Sequence, residues 1–126
     1  MRDYISYAVD FDGTLSINAH FPEIGDANIF LMDFLINERK NGNKVILNTC
    51  RTGELLEAAL EFCEGRGLTF DAVNENLPEN IRLYGGDTRK ISADYYIDDK
   101  MLYFPSVGLN FPDLRTYKQP VKMQSI

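Results

Sequence analysis

Apolar runs closed by polar or acidic residues recur along the chain, and the stretches between them carry apolar positions at helical spacing. Tyr4 to Val9 reads as a strand buried on both faces, with Asp10 at its carboxyl end. Ser16 to Gly25, with Pro22, reads as a loop. Ala27 to Lys40 follows as a helix with a broad apolar face of Ile29, Phe30, Met32, Phe34, Leu35 and Ile36. Asp26 is placed to cap its start, Arg39 and Lys40 complement the dipole at its end, and Asn41-Gly42 supplies a left-handed stop. Lys44 to Asn48 is a second short strand. Gly53 to Glu64, opened by Thr52, repeats Leu55, Leu56, Ala59, Leu60 and Cys63 at helical spacing and ends at Gly65 and Gly67. Leu68 to Val73 reads as a third strand, and Ala93 to Ile97 as a fourth that runs into Asp98-Asp99. Strands alternating with helices imply a parallel sheet with right-handed crossovers.

Length and composition narrow the picture. A chain of 126 residues, 44% hydrophobic and 25% charged, can bury one core and is too short for two, so a single domain over 1–126 is expected, with a core at about 4–111 and a tail at about 113–126. No apolar stretch approaches a membrane span, and Met1-Arg2-Asp3-Tyr4 lacks the apolar block of a signal peptide, so a cytoplasmic protein is expected. A formal net charge of -6 argues against a sequence-independent grip on nucleic acid. Cys50 and Cys63 make neither a disulfide framework nor a zinc spacing.

The candidate chemistry gathers at strand ends. Asp10 and Asp12 are two carboxylates one residue apart, followed by Gly13, after a buried strand; two acids so close are costly without a compensating cation. An Asp-Gly pair alone would be a common turn. Thr49 ends the second strand, where a hydroxyl and the free N–H groups opening the next helix can hold an anion; the bland alternative is a helix cap. Lys90, ahead of the fourth strand, is a flexible cation that can reach over a phosphoryl group, although any one lysine is by default a solvated one. Asp98-Asp99 offers oxygen ligands of the kind that hard divalent cations prefer.

The string Asp10-Phe11-Asp12-Gly13-Thr14-Leu15 resembles the first motif of the haloacid dehalogenase (HAD) superfamily of phosphohydrolases, and Thr49, Lys90 and Asp98-Asp99 match its second, third and fourth motifs in order, from about Tyr4 to Lys100. The stretches Ile46 to Leu56 and Tyr96 to Lys100 are similar to minimal HAD proteins of bacteria and phage. The resemblance implies a three-layer, Rossmann-like parallel sheet flanked by helices. In its strand order the first strand is central, the second and third lie to one side and the fourth to the other. It also implies a magnesium-dependent phosphatase acting through an aspartyl-phosphate. Asp10 would be the nucleophile and Asp12 the general acid and then base. Magnesium would be held by Asp10, the Asp12 main chain and Asp98 or Asp99, and the phosphoryl group by Thr49 and Lys90. Cys50 and Arg51, beside Thr49, join the expected phosphate-binding set, because a guanidinium suits a second anionic group. Cys50 lacks the arginine spacing of a thiol phosphatase.

Neither gap where HAD enzymes insert a cap, Ser16 to Asp26 or Asn74 to Arg89, is long enough for one. A capless, open site is therefore expected, suited to a phosphorylated small molecule or to cover from a neighbour in a homo-oligomer. His20 and Asn74-Glu75-Asn76 are loop residues that could read the substrate. A fifth strand near Gly108 to Phe111 is expected, and Tyr117 to Ile126 could pack on a neighbouring subunit. Two other readings stay open: a catalytically inactive HAD-fold binding or regulatory domain, and a polynucleotide-end phosphatase.

Overall fold

The computed structural model describes residues 3–102; the expected fifth strand and C-terminal tail lie outside them. Among the described residues the main sheet has four parallel strands in the order β5-β4-β1-β6: β1 is Ser6–Val9, β4 Lys44–Leu47, β5 Ala72–Val73 and β6 Tyr95–Ile97. The expected strand order is observed, and the architecture is a Rossmann-like α/β sandwich. β2 (Ser16–Ile17) and β3 (Asp26–Ala27) form an antiparallel hairpin where the sequence reads as a loop. No helix among the described residues is long and apolar enough to cross a membrane.

Alternation along the strands divides the core between two faces. Tyr7 and Val9 of β1 and Val45 and Leu47 of β4 meet Met32 and Leu35 of α1 (Ile29–Lys40) and Ala59 and Cys63 of α2 (Gly53–Glu64). Ala8 and Ile46 point to the opposite face, where they meet Leu77 and Ile91. Burial pushes the Cys63 thiol up to about 12, so it behaves as a small apolar side chain. Tyr7 is likewise raised to about 12 by burial and by its 2.7 Å hydrogen bond to Glu38.

Local chemistry explains where the elements depart from the sequence pattern. α1 starts two residues later than expected because Asp26 and Ala27 are drawn into the hairpin, and the Asn28 side chain accepts from the Leu31 N–H instead. Its apolar face is also less buried than the sequence suggests: Met32 and Leu35 are covered, whereas Phe30 is 91% exposed. The third strand shortens to Ala72–Val73, since the Asp71 side chain, not a backbone carbonyl, takes the Val45 N–H at 2.8 Å. Pro78–Tyr84 forms a short helix, α3, which the pattern does not reveal. Leu77 at its start is buried against the second face of the sheet, and Glu79 accepts from the Tyr4 hydroxyl at the N-terminal side of β1. Leu77 thus anchors the 74–89 segment on a sheet face, while Asn74 at its start stands at the carboxyl edge beside Thr49.

Candidate functional site

The strand register creates the site. Val9 pairs with Leu47 on one side and Ile97 on the other, so Asp10, Asn48 and Asp98 are the first residues past the edge of three adjacent strands. The Asp10 N–H donates to the Ile97 carbonyl at 2.9 Å and the Asn48 N–H to the Val9 carbonyl at 2.8 Å, continuing the ladder to that edge. Beyond it the acids converge: Asp10, Asp98 and Asp99 each offer a carboxylate oxygen within 4.8 Å of the others.

Two residues of the turn after Asp10 make this convergence sterically feasible. Gly13 has φ +85°, the left-handed region that favours glycine, and a Cβ built on it would overlap the Asp99 carboxylate. The Thr14 hydroxyl is buried between two of the acids: it lies 3.2 Å from Asp10 Oδ2 and 3.4 Å from Asp99 Oδ1, and accepts from the Asp99 N–H at 3.0 Å. With one proton to donate, it satisfies only one of the two carboxylates at a time. The remaining repulsion appears in Asp10, whose proton affinity rises from the ordinary 3.8 to about 6, first through burial and then through the nearby Asp98 charge. Lys100 lies 3.5 Å from Asp99 but is largely exposed and offsets little of this. An all-oxygen donor set with uncompensated negative charge could hold a hard divalent cation such as magnesium.

Asp12 is not part of this cluster. Both of its carboxylate oxygens accept from Arg51, from Nε at 2.8 Å and from Nη2 at 2.7 Å, and the Arg51 side chain is fully buried. Arg51 was expected to face a second anionic group on a ligand; instead its donors are spent inside the protein, on Asp12 and on the Pro22, Glu23 and Leu55 carbonyls. Cys50 is exposed beside it.

Thr49 sits at the end of β4 with its N–H donating to the Asn74 side chain at 2.8 Å and its hydroxyl accepting from the Arg51 N–H at 3.1 Å, which leaves the hydroxyl proton to point elsewhere. Thr52, the expected cap of α2, makes no side-chain cap bond. Lys90 is exposed, with its ammonium 5.4 Å from the Tyr96 ring centroid, and with Asn48 and Asp98 it lines a cavity of about 320 Å³. A second cavity of about 700 Å³ runs from Gly13, Thr14 and Asp99 along Phe30 and Phe34 of α1.

Asn74 and Asn76, expected as substrate readers, act as braces. Asn74 holds a positive φ of 55° and fixes the Thr49 turn. Asn76 is buried. Its N–H groups reach the Asp87 carboxylate and both oxygens of Thr88, and its oxygen accepts from the Ser92 N–H at 2.6 Å, so one side chain closes the loop that carries Lys90. The sequence offers Asn76 as a loop residue open to a ligand; its buried bracing role shows only in the structure. Thr14 was legible as part of the Asp-Phe-Asp-Gly-Thr string but not as a clamp.

The chain is similar to a solved structure of a conserved protein from Bacteroides thetaiotaomicron, with 34% identity over 94% of this chain and 96% of that one, and a TM-score of 0.69. The two chains belong to one family. Neither a protein-family model nor a curated protein matches the chain.

Proposed function

We propose that this protein is a magnesium-dependent phosphatase of the capless HAD type, acting in the cytoplasm on phosphate monoesters of small molecules. The observation that carries the reading is the gathering of Asp10, Asp98 and Asp99 within 4.8 Å of one another at the carboxyl edge of the sheet, although nearly the whole described chain separates the first from the other two. Magnesium bound there would neutralise charge on the phosphoryl oxygens.

The residues then have distinct tasks. An Asp10 oxygen attacks phosphorus in line with the leaving oxygen; the P–O bond to the leaving group breaks, and Asp12 gives that oxygen its proton. In the second step water attacks the aspartyl-phosphate, Asp12 takes the water proton, and Asp10 is released with inorganic phosphate. Thr49 through its hydroxyl and Lys90 through its ammonium would hold the non-bridging oxygens. No separate cap domain lies over Asp10 among the described residues, which suits substrates of varied shape.

The test is phosphate release from an aryl phosphate with magnesium and with chelator, followed by a screen of sugar phosphates, nucleotides, phosphopeptides and 3'-phosphorylated DNA. Magnesium-dependent release that Asp10→Asn abolishes supports the proposal; full activity in Asp10→Asn overturns it. One observation favours a second reading, a metal-binding domain of this fold without turnover: both Asp12 oxygens are committed to Arg51. Magnesium binding with no release across the whole screen would select it.

A further inference from the structure

Arg51 is the most completely enclosed charged side chain among the described residues, with no exposed side-chain surface, and its contacts come from three separate parts of the chain. Its Nε and Nη2 fork pairs with the two Asp12 oxygens on the loop after β1. Nη2 also lies 3.0 Å from the Pro22 carbonyl and 3.3 Å from that of Glu23, both in the loop of the β2–β3 hairpin. Nη1 reaches the Leu55 carbonyl in the first turn of α2. The guanidinium is flanked by two rings, Phe11 at 4.9 Å and the exposed Phe21 at 5.2 Å, the second again from the hairpin loop.

This arrangement has two physical consequences. A planar fork with its donors engaged in fixed directions cannot follow one partner without pulling on the others, and an ammonium could not reproduce it. A buried cation whose only described ionic partner is Asp12 also resists losing that partner, because it would remain uncompensated away from water. Asp12 and the hairpin loop are therefore held as one unit, although they are joined through Arg51.

We propose that Arg51 is a positioning residue that couples the placement of the Asp12 carboxylate to the conformation of the 18–25 hairpin loop. Arg51 touches no substrate in this scheme; it sets where the Asp12 carboxylate stands, and the loop carrying Pro22 and Glu23 fixes Arg51 in turn. The kinetic part rests on the phosphatase reading, whereas the coupling itself is a property of the fold and is measured separately.

Two measurements on the full chain test it. Amide hydrogen exchange is compared between wild type and Asp12→Asn, which keeps the side-chain shape but removes the charge and one acceptor. The Glu23 N–H, bonded to the His20 carbonyl, and the Gly25 N–H, bonded to Ser16 Oγ, are expected to exchange about 10-fold faster or more, while β1 and β4 amides keep their protection. Unchanged exchange at Glu23 and Gly25 overturns the coupling. In the second measurement Arg51→Lys is assayed with an aryl phosphate. The expected result is a kcat lowered on the order of 100-fold, KM nearly unchanged, and the magnesium-induced rise in melting temperature retained, since Asp10, Asp98 and Asp99 are untouched. Wild-type kcat in Arg51→Lys overturns the positioning role. If Arg51→Lys does not fold, Asp12→Asn still decides the coupling; if the wild type releases no phosphate, the phosphatase reading falls and the exchange result stands on its own.

Discussion

Removing the Asp10 charge should stabilise the metal-free protein at neutral pH. Asp10 has its proton affinity raised from 3.8 to about 6 by burial and by Asp98. The sign follows from linkage: a carboxyl that binds its proton more tightly when folded contributes stability that is fully present below pH 3.8 and lost as pH rises through about 6. Above pH 7 the folded state carries the whole penalty. The difference between 3.8 and about 6 corresponds to about 3 kcal/mol at roughly 1.36 kcal/mol per pH unit, and solvent screening of this half-buried group reduces it to about 1 to 2 kcal/mol. Asp10→Asn keeps an acceptor for the Thr14 hydroxyl and removes the charge. Its melting temperature in chelator at pH 8 should exceed that of wild type by roughly 4 to 8 °C, and the gap should close toward pH 4. Thermal melts followed by circular dichroism from pH 4 to 8 measure this directly. With magnesium the order should reverse, since wild type gains about 2.7 kcal/mol at a ligand concentration 100 times its Kd and the variant lacks a ligand. A gap that is absent at pH 8, or that does not vary with pH, would refute the claim that Asp10 carries uncompensated charge.

Three further perturbations probe other parts of the structure. Gly13→Ala should abolish the magnesium-induced rise in melting temperature, because the new Cβ meets the Asp99 carboxylate and the backbone holds φ +85°; wild-type magnesium affinity by calorimetry would show that the turn is not needed to bring Asp99 in. Asn76→Ala should lower stability by about 2 kcal/mol in urea melts, and raise KM for an aryl phosphate, as the Lys90 loop loses its buried brace. Leu35→Ala, at a fully buried position of α1 against the sheet, should cost about 2 to 5 kcal/mol without changing magnesium affinity, which separates the core from the site.

The sequence by itself determined that the sheet is parallel, since short apolar strands alternating with helices of 3.6-residue period call for crossover connections, and α2 was legible to the residue; the order of the strands came from the family resemblance. It also placed Asp10 and Asp98 at strand ends and Thr49 just beyond one, because the continuous apolar runs stop where polar residues begin. The hairpin and α3 were not legible. β2 and β3 contribute two residues each, too few to show a period, and α3 buries only Leu77 and Asn80 within or beside a seven-residue helix. The partnership of the acids was decided only in three dimensions. By sequence Asp12 is the neighbour of Asp10, yet the tertiary structure gives Asp12 to Arg51 and gives Asp10 to Asp98 and Asp99. The reason is physical: alternation along an extended chain fixes which side a carboxylate leaves from, but its partner depends on which distant strand is laid alongside, and that is set by packing across the whole sheet.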